Sequence, residues 1–173
     1  MSTWMVVEDE PDIYELLMAM FEMWGIEGVA FVDGEEAARW IDDVNNERFP
    51  GELPELALLD IRLPGSISGP MVGERLRQSK ALNGMTIVLT TAYKLSVDEE
   101  DAVMKQAGAD KLIYKPLPKF NELKQLLEDL IAQRRKTASS INGSPVVNTN
   151  TTGAEKNATE GGENPTDGSM TDA

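Results

Sequence analysis

Leu56-Ala57-Leu58-Leu59-Asp60-Ile61-Arg62-Leu63-Pro64 is the stretch on which the fold turns. Four consecutive apolar residues, too few for a helix and ended by a carboxylate, describe a strand covered on both faces. Such a strand belongs in the middle of a parallel sheet. Similar short apolar runs at residues 4–7, 29–32, 87–89 and 112–114 are each followed by turn or polar residues, giving five strands. Between the first two, Ile13, Leu16, Leu17, Met20, Phe21 and Trp24 fall at helical spacing, with Pro11 in the first turn and Gly25 past the end. Asp33 with Glu36, and Ser96 with Glu99, have the spacing of helix-start caps before the second and fourth helices. Phe120, Leu123, Leu126, Leu127, Leu130 and Ile131 mark the fifth, and the third, with the weakest periodicity, lies between Met71 and Leu82. Strict alternation of strand and helix requires crossovers that return to the same sheet edge, so the class is α/β with a parallel sheet and helices on both faces.

Composition narrows the chemistry. The 173 residues include 30 acidic and 16 basic side chains, a formal charge of −14, and neither cysteine nor histidine. Such a surface repels phosphate backbones and anionic lipid, which argues against direct nucleic-acid binding. Disulfides, thiolate zinc sites, cysteine nucleophiles and imidazole bases are all excluded. Carboxylate, hydroxyl and lysine chemistry remains, and carboxylate oxygens suit hard cations such as magnesium. No apolar run reaches the ~20 residues that span a bilayer, so no membrane insertion and a cytoplasmic protein are expected.

From Thr137 to Ala173 the sequence shifts to Ser, Thr, Asn and Gly, and residues 137–173 are expected to be a disordered tail beside a folded domain at 1–136. Three Asn-led, glycosylation-type triplets at Asn142, Asn150 and Asn157 arise readily by chance in such a tract. Arg134, Arg135 and Lys136 suit a helix C-terminus, and the acidic run from Asp98 to Asp101 suits a helix N-terminus. Trp4, Trp24 and Trp40 read as core or helix-packing residues.

In a doubly wound sheet, ligands sit beyond the carboxyl ends of the strands. Strand one ends in Glu8, Asp9 and Glu10, strand three in Asp60, strand four in Thr90 and Thr91, and strand five is followed by Lys115 and Pro116. Acidic groups gathered so closely repel by roughly 4 kcal/mol per pair at 4 Å and an effective dielectric near 20, which a divalent cation would relieve. Such a site suits phosphoryl transfer, in which a carboxylate attacks in line while the cation, an ammonium and a hydroxyl neutralise the equatorial oxygens.

Over about residues 3–135 the chain resembles the receiver domain of bacterial two-component response regulators. The resemblance is carried by Val6-Val7-Glu8-Asp9-Glu10, by Leu58-Leu59-Asp60-Ile61-Arg62-Leu63-Pro64, by Thr90-Thr91-Ala92 and by Lys115-Pro116, in order and on the matching strand ends. It implies a flavodoxin-like (βα)5 sandwich with strand order 2-1-3-4-5. It also implies Asp60 as phosphoacceptor, Asp9 as a direct Mg2+ ligand, Glu8 as a ligand through water, and the backbone carbonyl of Arg62 completing the metal site. Thr91 and Lys115 would each bond a phosphoryl oxygen, Lys115 pairing with Asp60 when no phosphoryl group is there. With no histidine in the chain, the donor would be a separate sensor histidine kinase or phosphotransfer protein. The output would be a change in the α4-β5-α5 surface that alters binding to a downstream protein, as a monomer or a phosphorylation-dependent homodimer.

The sequence departs from the family at two places. Leu112 stands three residues before the lysine, where an aromatic is usual, while Tyr114 directly precedes it. The segment between Pro64 and Gly69 is one residue longer than usual. Arg62 and Tyr93, two beyond Asp60 and two beyond Thr91, are bulky groups flanking the path of an attacking water, and slow self-dephosphorylation is expected. A magnesium-dependent aspartate-nucleophile phosphatase or phosphotransferase on a similar sheet is the rival from the enzyme class, disfavoured because its usual second aspartate would stand at Arg62. A degenerate receiver that binds partners without being phosphorylated is the rival from the interaction class.

Overall fold

The computed structural model describes residues 1–142. The chain forms β1 (Thr3–Val7), α1 (Pro11–Trp24), β2 (Glu27–Phe31), α2 (Gly34–Asn45), β3 (Leu56–Asp60), α3 (Gly69–Gln78), β4 (Thr86–Thr91), α4 (Val97–Ala107), β5 (Lys111–Tyr114) and α5 (Phe120–Asn142). The five strands are parallel in the order β2-β1-β3-β4-β5. That is the flavodoxin-like arrangement expected, with β3 in the middle and buried at every position.

Because strand side chains alternate between faces, each strand feeds two cores. Met5, Val7, Ala57, Leu59, Ile87 and Leu89 join Ile41 of α2, Val72 and Leu76 of α3 and Ala107 of α4 in one layer. Trp4, Val6, Leu56, Leu58, Val88 and Ile113 join Leu17 and Phe21 of α1 and Leu123, Leu127 and Ile131 of α5 in the other. Trp4 sits in that second layer, edge-on to Phe21 at 5.3 Å and to Trp24 at 6.0 Å between ring centroids. Each such large side chain taken from water contributes about 1.5–3 kcal/mol.

Local signals fixed most of the helix ends. Gly25 turns left-handed (φ 71°) to end α1, and Ser96 and Glu99 form a complete capping box at the start of α4. The third helix begins earlier and ends sooner than its apolar residues suggest. Ser68 caps it through Met71 N, and Leu82 is buried from the turn beyond it.

The fifth helix corrects the expected boundary at residue 136. Thr137, Ser139 and Ser140, expected to be unstructured, lie within it, and their hydroxyls donate to the carbonyls of Gln133, Arg135 and Lys136 at 3.0–3.1 Å. Hydroxyl side chains that bond one turn back can continue a helix already anchored by its apolar face. The rest of the expected tail, with the Asn-led triplets at 150 and 157, lies outside the described residues. Among the described residues no helix is long and apolar enough to cross a membrane.

Candidate functional site

Register assembles the site. Val7 lies beside Leu59, Asp60 beside Thr90, and Thr91 beside Tyr114. The ladder then runs past the strand ends: Glu8 N bonds Phe31 O at 3.1 Å, Ile61 N bonds Thr90 O at 2.9 Å, and Lys115 N bonds Thr91 O at 2.8 Å. The backbones that carry the chemistry are therefore fixed by the sheet rather than left to free loops.

Glu8 and Asp60 are buried, Asp9 is exposed, and one carboxylate oxygen from each lies within 4.8 Å of the others. Lys115, with only 7% of its side chain exposed, places Nζ 2.9 Å from both Glu8 Oε2 and Asp60 Oδ2. Its third acidic neighbour is Glu10, at 3.3 Å. The remaining oxygens of the buried pair are occupied by the chain itself: Arg62 N donates to Asp60 Oδ1 at 3.1 Å, and Glu10 N donates to Glu8 Oε1 at 3.0 Å. Asp60 is thus held in one orientation between an ammonium and an amide.

The electrostatics follow from this packing. Burial pushes the Glu8 carboxyl up, opposed by the hydrogen bonds it accepts from Lys115 and the Glu10 amide. Burial alone would lower the Lys115 ammonium, but its bonds to Glu8 and Asp60 and their negative charges outweigh that, and it stays above the usual lysine range. One ammonium does not neutralise three clustered carboxylates. The donor set is all oxygen, with Asp9 open to solvent, which fits a hard divalent ion that keeps part of its water shell.

Thr91 is fully buried at the end of β4, and its Oγ1 accepts from Tyr93 N at 3.1 Å. The Arg62 guanidinium lies over the Tyr93 ring, 3.7 Å from its centroid, so the two bulky residues noted in the sequence meet each other. The segment after Pro64 is pinned to α2, where Glu35 Oε1 accepts from Ser66 N at 2.7 Å, Ser66 Oγ at 2.9 Å and Ile67 N at 3.3 Å. The Ser66 amide and hydroxyl hold that carboxyl below the usual range. Gly65 supplies the positive φ (85°) this course needs, and at Gly69 any Cβ would collide with the backbone oxygen of Asp60.

Every residue expected at the site from the sequence is therefore on the same sheet edge. Glu8, Asp9 and Asp60 are in mutual reach, Lys115 pairs with Glu8 and Asp60, Arg62 contacts Asp60 through its amide, and Thr91 is engaged with its own loop. Glu10 was visible as a third acid after β1, but its contact with Lys115 depends on the turn into α1.

A parallel β2-β1-β3-β4-β5 sheet with clustered carboxylates, a buried lysine and a hydroxyl at its carboxyl edge defines the class of aspartate-centred signalling receivers. The chain belongs to the response regulator receiver domain family, which matches residues 4–128. It is 32% identical over 128 residues to the polar-differentiation response regulator DivK of Brucella ovis, covering 72% of this chain and 95% of that protein. The receiver domain of a sensor histidine kinase from Pseudomonas aeruginosa, solved with a magnesium ion coordinated in its active-site cleft, is 26% identical with a TM-score of 0.61, covering 76% of this chain and 98% of that one. A CheY-like receiver from Methanospirillum hungatei, 23% identical with a TM-score of 0.63 over 79% of this chain and 98% of that one, shares the fold.

Proposed function

We propose that this receiver works as a stand-alone, cytoplasmic phosphoacceptor: Asp60 takes a phosphoryl group from a histidine of a partner kinase or phosphotransfer protein, and the α4-β5-α5 surface changes its binding in response. The observation that carries the reading is Lys115 Nζ at 2.9 Å from both Asp60 and Glu8, beside the three-carboxylate cluster. Asp9, Glu8, Asp60 and the Arg62 carbonyl are the groups that would hold Mg2+, which when bound would offset charge on the phosphoryl oxygens. Asp60 Oδ2 is the attacking atom, and the P–N bond to the donor imidazole breaks as the P–O bond forms. Lys115 and Thr91 would then each donate to a phosphoryl oxygen, Lys115 by releasing Asp60 and Thr91 through the O–H that its bond from Tyr93 N leaves free. The stand-alone reading is supported by DivK, which this chain matches over 95% of its length.

Incubation with acetyl phosphate and magnesium, followed by intact mass, tests the reading. The expected result is a gain of one phosphoryl mass in the wild type and none in Asp60→Asn. No gain in the wild type would favour a degenerate binding module, and turnover of phosphate esters would favour a phosphatase. Against the latter, Arg62 occupies the position of the second acid, and its guanidinium is stacked on Tyr93.

The stacked pair supports a long-lived phosphoryl group. Two packed planar groups beside the acceptor narrow the approach of an in-line water, so Arg62→Ala and Tyr93→Ala are each expected to speed self-dephosphorylation by about tenfold, equivalent to ~1.4 kcal/mol in the barrier. Following loss of the phosphoryl adduct by mass with time, with magnesium present, measures this. A wild-type half-life of seconds would contradict it.

A further inference from the structure

The segment from Arg62 to Ile67 leaves the sheet with few ties of its own. Ile61 N, just before it, is fixed on Thr90 O, and Gly69 N, just after it, returns to Ile61 O at 3.1 Å. Between these points, none of residues 62–67 donates to or accepts from another backbone group among the described residues. Side chains hold it instead. At its near end Arg62 N donates to Asp60 Oδ1, and the Arg62 guanidinium lies over Tyr93. At its far end the one oxygen Glu35 Oε1 takes the Ser66 amide, the Ser66 hydroxyl and the Ile67 amide. Packing around that carboxylate is close: a Cβ at Gly65 would meet it at 2.6 Å, and a Cβ at Gly34 would collide with the backbone oxygen of Ile67. Asp33 already caps α2 through Glu36 N at 2.7 Å, so the helix does not need Glu35 for its own start.

We propose that Glu35 is a positioning residue that sets which divalent ion the site takes: by clamping the loop after Asp60 it holds the Arg62 carbonyl in one place and so favours Mg2+ over Ca2+. This rests on the metal-assisted phosphoacceptor reading above. Three of the four groups that would hold the ion are carboxylates placed by the ends of β1 and β3. The Arg62 carbonyl alone is carried by the loop, and it moves only with that backbone. Pro64, with its φ locked, and Leu63, packed against the core layer of α2 and α3, leave little slack between the clamp and Arg62. Mg2+ demands near-ideal octahedral contacts at about 2.0–2.1 Å, whereas Ca2+ accepts irregular ones at about 2.3–2.6 Å. A loop free to drift keeps an all-oxygen site but loses the tighter geometry, which penalises the smaller ion more than the larger.

Calorimetric titration of the full chain with Mg2+ and, separately, with Ca2+ tests this. Glu35→Ala is expected to weaken Mg2+ binding about 3–10-fold and Ca2+ binding less than about twofold, so that the preference for Mg2+ falls. Glu35→Gln keeps an oxygen that can accept from Ser66 and Ile67, and should recover part of the loss. Ser66→Ala removes only the hydroxyl, so it should shift the preference in the same direction by less and add little in the Glu35→Ala background. If Glu35→Ala does not fold, the ratio of the two affinities in Glu35→Gln and Ser66→Ala decides. A staple with no part in the choice of ion would lower the urea midpoint and leave that ratio unchanged, and an unchanged ratio, whether both ions weaken equally or neither does, overturns the proposal. Absence of Mg2+ binding by the wild type, or binding that Asp9→Asn leaves intact, would instead overturn the metal site and the clamp with it. That failure is distinguishable because it is seen before Glu35 is altered.

Discussion

Lys115→Met is expected to lose about 3–5 kcal/mol of stability in urea when divalent ions are chelated, and to regain most of it in magnesium. Methionine preserves much of the buried stem, so packing changes little. What disappears is the only ammonium, among the described residues, within reach of Glu8 Oε2 and Asp60 Oδ2, both 2.9 Å from Nζ and both buried. Removing one partner of a buried ion cluster strands the others, which costs more than the cluster itself contributes. Glu8 offers a partial escape, since burial already pushes its carboxyl up and the loss of Lys115 removes the main opposing hydrogen bond. A carboxyl whose folded pKa lies above its unfolded value stabilises the fold below the unfolded pKa, and that contribution fades as pH rises through the folded one. The deficit of the variant should therefore be largest at neutral pH and shrink in mild acid. Magnesium relieves the same repulsion without a proton and meets no competing ammonium, so its affinity should rise about tenfold, and at 100 times Kd a bound ion adds ~2.7 kcal/mol. Equal stability of variant and wild type in chelator would remove the physical basis of the site.

The site was legible because its chemistry sits at strand ends. In a parallel sheet every carboxyl end shares one edge, so Glu8, Asp9, Asp60, Thr91 and Lys115 converge once five strands are recognised, whatever the details of the loops. The fully apolar run before Asp60 gave the central strand for the same reason: only a strand covered on both faces lacks alternation. What stayed hidden is set by side chains that reach across elements. Tyr114 and Glu100, or Glu35 and Ser66, carry no periodicity and no motif, and their pairing depends on how a loop folds back. The end of α5 was missed because hydroxyl residues read as linker in composition, whereas a helix already anchored by Leu123, Leu127 and Ile131 turns them to local back-bonding.

Arg134 was read as a charge at a helix C-terminus, yet α5 runs on past it, and its real role sets up the second large effect. Asp110→Ala is expected to cost about 2–3 kcal/mol, allowing for partial exposure of the cluster, while leaving Asp60 phosphorylation of the folded protein unchanged. Asp110, just before β5, accepts from Arg134 Nη1 at 2.8 Å on one oxygen, and from Ile87 N at 2.8 Å and Arg77 Nη2 at 3.3 Å on the other. The two guanidiniums also hold loop carbonyls, Arg77 those of Asn83, Met85 and Gly108 and Arg134 those of Asn83 and Gly84. Burial, with the charge of Arg134 added, brings Arg77 down to about 10 despite Asp110, so it is still charged at neutral pH. Without Asp110 two cations face each other across an unpaired strand amide. Arg134→Met in the Asp110→Ala background should therefore cost less than Arg134→Met alone, because it also removes a repulsion. Urea midpoints of the two single variants and the double one measure that coupling. Since Asp110 lies at the opposite end of the strands from Asp60, unchanged adduct formation in the folded variant separates a clamp on the sheet from any part in the chemistry.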